Sequence, residues 1–142
     1  MEALRNAQAK KTEEDGKLIV ICHSFGGEIL YDILTHFDPT LQIDCFITVG
    51  SQVGLFEEMK LYIESKPSSN GPPPVKIRPP ACVKRWLNVF DLNDVLSYRV
   101  EPVFEGVSDF AYDTGYSTLG AHGGYFQRPS FYRRLAARLS ER

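Results

Sequence analysis

Ser24 lies between an apolar run and a pair of glycines in residues 19–28, IVICHSFGGE. A serine at a sharp turn between a buried strand and a helix projects its hydroxyl clear of the carboxyl edge of the sheet. Gly26 and Gly27 let the helix approach the strand closely, because neither carries a Cβ. The pattern indicates either a serine nucleophile or a serine that only caps the helix predicted at 28–37.

A serine nucleophile needs a base within hydrogen-bonding reach and an acid that orients this base. Asp94 follows the apolar run 86–90, and His122 precedes the last predicted helix. We therefore expect both side chains at the sheet edge that carries Ser24. Asp91 directly follows the same apolar run and is an alternative acid.

Three stretches of the chain resemble α/β-hydrolases of the serine lipase and esterase type: residues 19–27, 88–95 and 121–126. The resemblance includes the chain order of serine, then aspartate, then histidine. It implies that Ser24 is the nucleophile, His122 the general base and Asp94 the orienting acid. It also implies that the backbone N–H of Phe25 contributes to an oxyanion hole.

The chain departs from the family pattern at three points. Cys22 stands where the motif Gly-x-Ser-x-Gly has its first glycine, and Val95 follows Asp94 where the family usually has proline. At about 30 residues per βαβ unit, the chain holds fewer than five units, and Ser24 comes early in it. We therefore expect a single, partial α/β-hydrolase-like domain over 1–142. It would lack the N-terminal strands and the loop that supplies the second oxyanion donor.

Apolar periodicity predicts strands that alternate with helices, and hence an α/β fold with a mostly parallel sheet and flanking helices. Residues 18–22 are apolar throughout, which is typical of a central strand buried on both faces. A Pro-rich loop is predicted at 65–80, which holds six of the nine prolines. The other predicted strands are 43–49, 86–90 and a weaker one at 107–112, and the other helices are 1–11, 28–37, 55–63 and one opened by Pro129.

Composition excludes several function classes. A net charge of −2 does not indicate the basic surface that binds nucleic acid or anionic lipid. No apolar stretch approaches the roughly 20 residues of a membrane-spanning helix, and residues 1–17 lack the apolar core of a signal peptide. The three cysteines are widely spaced and indicate free thiols in a reducing compartment: Cys22, Cys45 and Cys82. We expect a cytoplasmic protein with no nucleic-acid partner.

The other histidine-containing patterns are weaker indications of a functional site. Asp32 and His36 are four residues apart on a predicted helix, but no second pair at ligand spacing completes a metal site. His23 adjoins Ser24 and points to the opposite side, so a packed or hydrogen-bonded structural role is expected. The run 122–124, His-Gly-Gly, follows the nucleophile in the chain and therefore differs from the lipase oxyanion motif.

The residues predict a serine hydrolase that cleaves an ester or related acyl bond of a small molecule through an acyl-enzyme at Ser24. We expect neither a metal nor an organic cofactor. The alternative is a catalytically silent α/β-hydrolase-like binding or scaffolding module, because a fold and a partial motif do not secure activity. The bare edge of the strand at 18–22 predicts self-association or complementation by a segment supplied from outside.

Overall fold

The computed structural model describes residues 1–66 and 75–141. Four parallel strands form one sheet in the order β1-β2-β3-β4, which confirms the predicted parallel α/β architecture. The strands are β1 Ile19–His23, β2 Cys45–Val49, β3 Trp86–Phe90 and β4 Ser108–Ala111. The helices are α1 Glu2–Ala9, α2 Gly26–Asp32, α3 Val53–Glu58, α4 Thr118–Gly124 and α5 Pro129–Ser140.

Side chains cover both faces of the sheet, and β2 and β3 are therefore buried along their whole length. On one face, Phe46 and Trp86 pack with Leu34, which follows α2. On the other face, Ile47 packs with Phe131 of α5. Burial of each side chain of this size contributes about 1.5–3 kcal/mol to the stability of the fold, so both layers stabilise the sheet that carries the site.

The prediction that the first strand is buried on both faces is wrong, because Ile19 and Ile21 are 42% and 46% exposed. β1 is an edge strand of the described sheet, which agrees with the bare edge expected for this strand. Val20 and Cys22 point to the other face and pack on the core beside α2. The apolar sequence is the same for a buried and an edge strand, and only the neighbouring elements decide its exposure.

Several predicted boundaries shift by a few residues. The helix expected at 55–63 is α3, which ends before Lys60 takes a positive φ of 58°. Helix α2 ends in a π-helical stretch, Ile33–Phe37. Residues 67–74 of the predicted Pro-rich loop lie outside the described residues. In its described part, Ile77 forms an isolated bridge with Phe104.

None of the helices in the described ranges combines the length and apolar character needed to cross a bilayer. The three cysteines are free thiols, as the sequence predicts: Cys22, Cys45 and Cys82.

Candidate active site

Ser24 occupies a strained turn between β1 and α2. Its φ of +53° is a conformation that residues with a Cβ rarely adopt. The Ser24 N–H donates to the carbonyl of Val49 at the end of β2, with an N–O distance of 3.0 Å. In the described part of the chain, the N–H of Phe25 has no hydrogen-bond acceptor. The turn therefore has the geometry of a nucleophile elbow with a free backbone donor beside the serine.

A continuous hydrogen-bonded chain links Ser24, His122 and Asp94. Nε2 of His122 lies 2.8 Å from Oγ of Ser24. Nδ1 of His122 lies 3.0 Å from Oδ2 and 3.1 Å from Oδ1 of Asp94. If Nδ1 donates to the carboxylate, Nε2 carries a lone pair toward the serine hydroxyl. This arrangement can move a proton from Ser24 to His122 and stabilise the resulting imidazolium.

Asp94 is held at both of its carboxylate oxygens in a turn after β3. Oδ1 accepts from the backbone N–H of Leu96 at 3.0 Å, and Oδ2 accepts from the hydroxyl of Tyr125 at 3.0 Å. The Asp94 side chain is fully buried, whereas His122 keeps partial solvent access. The carboxylate is thus fixed in one orientation toward the imidazole.

Asp91, the alternative acid, belongs to a different network. Its carboxylate accepts from the N–H and hydroxyl of Thr114 at 2.8 and 2.7 Å and from the N–H of Asn93 at 2.9 Å. Burial opposes ionisation, but these hydrogen bonds outweigh it and lower the pKa of Asp91. The structure therefore brings Asp94, and not Asp91, to His122.

Comparison with solved structures matches this architecture to a known fold. A predicted CIB-like hydrolase from Thermoplasma acidophilum superposes with a TM-score of 0.54 at 15% identity, over 97% of this chain and 56% of that chain. The chain has the α/β-hydrolase fold. It spans little more than half of that solved protein, and no protein-family model matches the sequence.

A curated relative shares part of the sequence. It is the probable mitochondrial phospholipase YOR022C of Saccharomyces cerevisiae, which is 33% identical over 100 residues. The match covers 64% of this chain and 13% of the relative. The matched region is therefore a small part of that much longer relative.

Within the α/β-hydrolase fold, His122 lies on α4 and not in the loop predicted from the sequence. Three glycines in and around 120–124 weaken the helical signal, because glycine disfavours helices by about 1 kcal/mol. The side chain of Tyr116 packs against two of them, Gly120 and Gly124. A Cβ at Gly124 would lie 2.5 Å from Cδ2 of Tyr116, so only glycine admits this ring.

Gly50 and Tyr125 complete the site and were missed by sequence reasoning. Gly50 has a φ of +57°, and a Cβ there would lie 2.9 Å from Cε2 of Tyr125 and 3.0 Å from Oδ2 of Asp94. The sequence signal for Gly50 is a glycine directly at the carboxyl end of a buried strand, at the edge where a parallel sheet carries its site. No local pattern marks Tyr125.

His23 contacts the backbone of the candidate base. Its Nε2 lies 2.8 Å from the carbonyl oxygen of His122, and the two imidazole rings have centroids 4.8 Å apart. Because a carbonyl only accepts, Nε2 of His23 carries a proton and donates it. His23 is thus hydrogen-bonded and packed, which agrees with the structural role expected from the sequence.

Asp32 and His36, the pair considered for a metal site, each bond a different partner. His36 bonds Glu64 with an N–O distance of 2.7 Å, and Asp32 accepts from the N–H of Ile63 at 3.3 Å. In residues 1–66 and 75–141, no group of three or more His, Cys, Asp or Glu side chains is arranged to hold a metal ion.

A mostly apolar groove of about 360 Å³ includes Phe25, the residue after Ser24, in its lining. The Phe25 side chain is 54% exposed. The other lining residues are mainly apolar, with two carboxyl groups among them: Glu28, Ile29, Asp32, Ile33, Phe37, Phe56, Leu61 and Tyr62. The groove gives the site an apolar surface on the side of α2.

Proposed function

We propose that this chain carries the active site of a serine hydrolase that cleaves carboxylic esters through an acyl-enzyme at Ser24. The observation that carries the proposal is the hydrogen-bonded chain from Ser24 Oγ to His122 and on to Asp94. The strained turn at Ser24 and the free N–H of Phe25 support it further. These are the parts that acyl transfer requires: a nucleophile, a base, an orienting acid and an oxyanion donor.

In the proposed reaction, Ser24 Oγ attacks the ester carbonyl carbon while its proton passes to Nε2 of His122. The carbonyl oxygen gains negative charge and accepts from the N–H of Phe25. His122 then returns the proton to the leaving alcohol, which leaves an acyl group on Ser24. Water repeats the sequence and releases the acid. A metal or organic cofactor has no step in this scheme.

The proposed substrates are small-molecule esters with an apolar acyl part, phospholipids included. The yeast relative is described as a probable phospholipase, and this description motivates the phospholipid class. The apolar groove beside Phe25 offers surface for hydrocarbon, whose burial contributes about 0.8 kcal/mol per CH₂. The cytoplasmic location stays a prediction, and the yeast relative is described as mitochondrial.

A fluorophosphonate probe tests the proposal directly, since only an activated serine reacts with it at useful rates near neutral pH. We expect labelling of Ser24 alone, with complete loss in Ser24→Ala and in His122→Ala. Ser108→Ala and His36→Ala are matched controls, because Ser108 is an exposed residue of β4 and His36 pairs with Glu64. Equal labelling of the His122→Ala protein would contradict the proposed base. A wild-type chain that takes no label would favour the silent binding module.

A further inference from the structure

Glu28 is a buried carboxyl group without a basic partner. It lies in the first turn of α2, four residues after Ser24, and is 2% exposed. Two other buried carboxyls are paired with cations, Asp38 with Arg5 and Glu57 with Lys60. Asp91 is buried without a cation and is held by three hydrogen-bond donors instead. Among the described residues, no lysine, arginine or histidine forms an ion pair with Glu28. An ionised carboxylate buried in this way is costly, which favours the neutral acid.

The hydrogen bonds around Glu28 lead to the nucleophile turn. Ser51, fully buried after β2, places Oγ 3.2 Å from Oε2 of Glu28 and 2.9 Å from the carbonyl oxygen of Ser24. The backbone N–H of Gln52 donates to Oε1 of Glu28. The Ser51 hydroxyl has one proton, so it cannot donate both to the Ser24 carbonyl and to an ionised Glu28.

We propose that Glu28 in its neutral form donates to Ser51, which donates to the Ser24 carbonyl, and that both residues position the nucleophile. We call the hydrogen-bonded sequence Glu28, Ser51 and Ser24 the relay. With the proton on Oε2 of Glu28, every donor and acceptor of the relay has a partner. Oε2 donates to Ser51 Oγ, Ser51 donates to Ser24, and Oε1 accepts from Gln52. The inference rests on the proposed role of Ser24 as nucleophile.

The relay ends at the Ser24 backbone, whose strained conformation is stabilised by hydrogen bonds. The Ser24 carbonyl also accepts from the N–H of Gly27 at 3.1 Å, and its N–H bonds Val49. Three hydrogen bonds therefore hold the residue at its unfavourable φ of +53°. Gly27 admits the relay, because a Cβ there would lie 2.2 Å from Oγ of Ser51.

The surroundings of Glu28 agree with a neutral acid. Burial raises the pKa of Glu28, against the lowering effect of hydrogen bonds from its own N–H, from Gln52 and from Ser51. The charge of an ionised Glu28 acts on Cys22 of β1 and on Tyr62 after α3. The other titratable groups on the elements packed around it are His23 on β1, Tyr31 and Asp32 on α2, Glu57 and Glu58 on α3, and Lys60, which pairs with Glu57.

Glu28→Gln, Glu28→Ala and Ser51→Ala test the relay through the rate of fluorophosphonate labelling. A glutamine amide can donate to Ser51 and accept from Gln52, so we expect the Gln variant to react within about threefold of the wild type at pH 7. Each of the two alanine variants should react at about one tenth of the wild-type rate or below. At alkaline pH the wild type should lose rate relative to Glu28→Gln, because only the wild-type relay can ionise. A Gln variant as slow as the Ala variant would overturn the proposal.

A second measurement is independent of the reactivity of Ser24. The ¹³C carboxyl resonance of Glu28, assigned by its absence in Glu28→Gln, should keep the shift of the protonated acid to a higher pH than the carboxyl of glutamate in a short unstructured peptide. Titration at the same pH as that peptide would overturn the neutral relay even if Ser24 is the nucleophile. Conversely, a protonated Glu28 in a chain that takes no label would contradict the proposed function alone.

Protein stability gives the same test by a third route. A raised folded-state pKa contributes stability below the unfolded value, and this contribution is lost as the pH rises through the folded value. The melting temperature of the wild type minus that of Glu28→Gln should therefore fall as the pH rises from 4 to 9. A difference that grows with pH would mean that Glu28 is stabilised as an anion.

Discussion

The hydroxyl of Tyr125 donates to Oδ2 of Asp94 at 3.0 Å, and the same oxygen lies 3.0 Å from Nδ1 of His122. Tyr125 is fully buried and follows α4, three residues after His122. Burial and the Asp94 charge raise the pKa of Tyr125, so the phenol stays a donor. One short segment thus carries both the candidate base and a group that fixes its acid.

Tyr125→Phe should slow ester turnover about tenfold, because one hydrogen bond to the Asp94 carboxylate is lost and the acid is less firmly oriented. The variant removes one oxygen and leaves the ring packing in place. Tyr132→Phe is the matched control, since the Tyr132 hydroxyl bonds the Phe126 carbonyl at the surface. The measurement is kcat/KM for a chromogenic ester, and equal values for both variants would contradict the role of Tyr125.

Asn substitutions distinguish the two candidate acids. Asp94→Asn should lower turnover about 10⁴-fold, because the imidazole then takes the wrong tautomer and loses its counter-charge. Asp91→Asn should instead destabilise the fold by about 1–3 kcal/mol, since the amide meets donors from Thr114 and Asn93. Turnover and thermal melting of both variants are compared at pH 7. A large rate loss in Asp91→Asn alone would reverse the assignment.

Gly50→Ala should abolish turnover, because the new Cβ would overlap Tyr125 and Asp94. Gly106→Ala is an informative control. Gly106 has a similar positive φ of +67°, but nothing lies within 4 Å of its would-be Cβ. Both variants should lose stability from backbone strain, about 1 kcal/mol each, and only Gly50→Ala should lose activity as well. Retained turnover in Gly50→Ala would show that the site tolerates displacement of Tyr125.

Local patterns predicted the elements with dense, continuous signals. The strand at 86–90 has the predicted bounds, because four of its five residues are apolar. Pro129 starts α5, because proline suits the first helical turn. His122 was predicted as the base, but the helix that carries it was not, because its glycines mask the helical signal until the Tyr116 ring is in place. Tyr125 escaped sequence reasoning because its contact with Asp94 spans 31 residues.

Asp44 gives a prediction of pH-dependent stability. Hydrogen bonds from Lys11 and Lys84 hold the pKa of Asp44 well below its usual range, with a further bond from the N–H of Leu18. A lowered folded-state pKa contributes stability above the unfolded value, and this is lost as the pH falls. Asp44→Asn should therefore melt below the wild type at pH 7, and the gap should narrow toward pH 2. The exposed Asp15→Asn variant is the control and should show no such gap.

The outer edge of β1 predicts self-association with a second copy of the chain. In the described sheet no strand pairs with this edge, and Ile19 and Ile21 leave an apolar face beside it. Unpaired backbone groups next to apolar side chains favour pairing with another strand, and charged residues at such an edge oppose it. We expect a molar mass above 16.1 kDa by light scattering, falling to the monomer value in Ile21→Lys. Ile29→Lys, an equally exposed site on α2, should leave the mass unchanged. A wild-type chain that stays monomeric at high concentration would contradict the prediction and mean that this edge needs no partner.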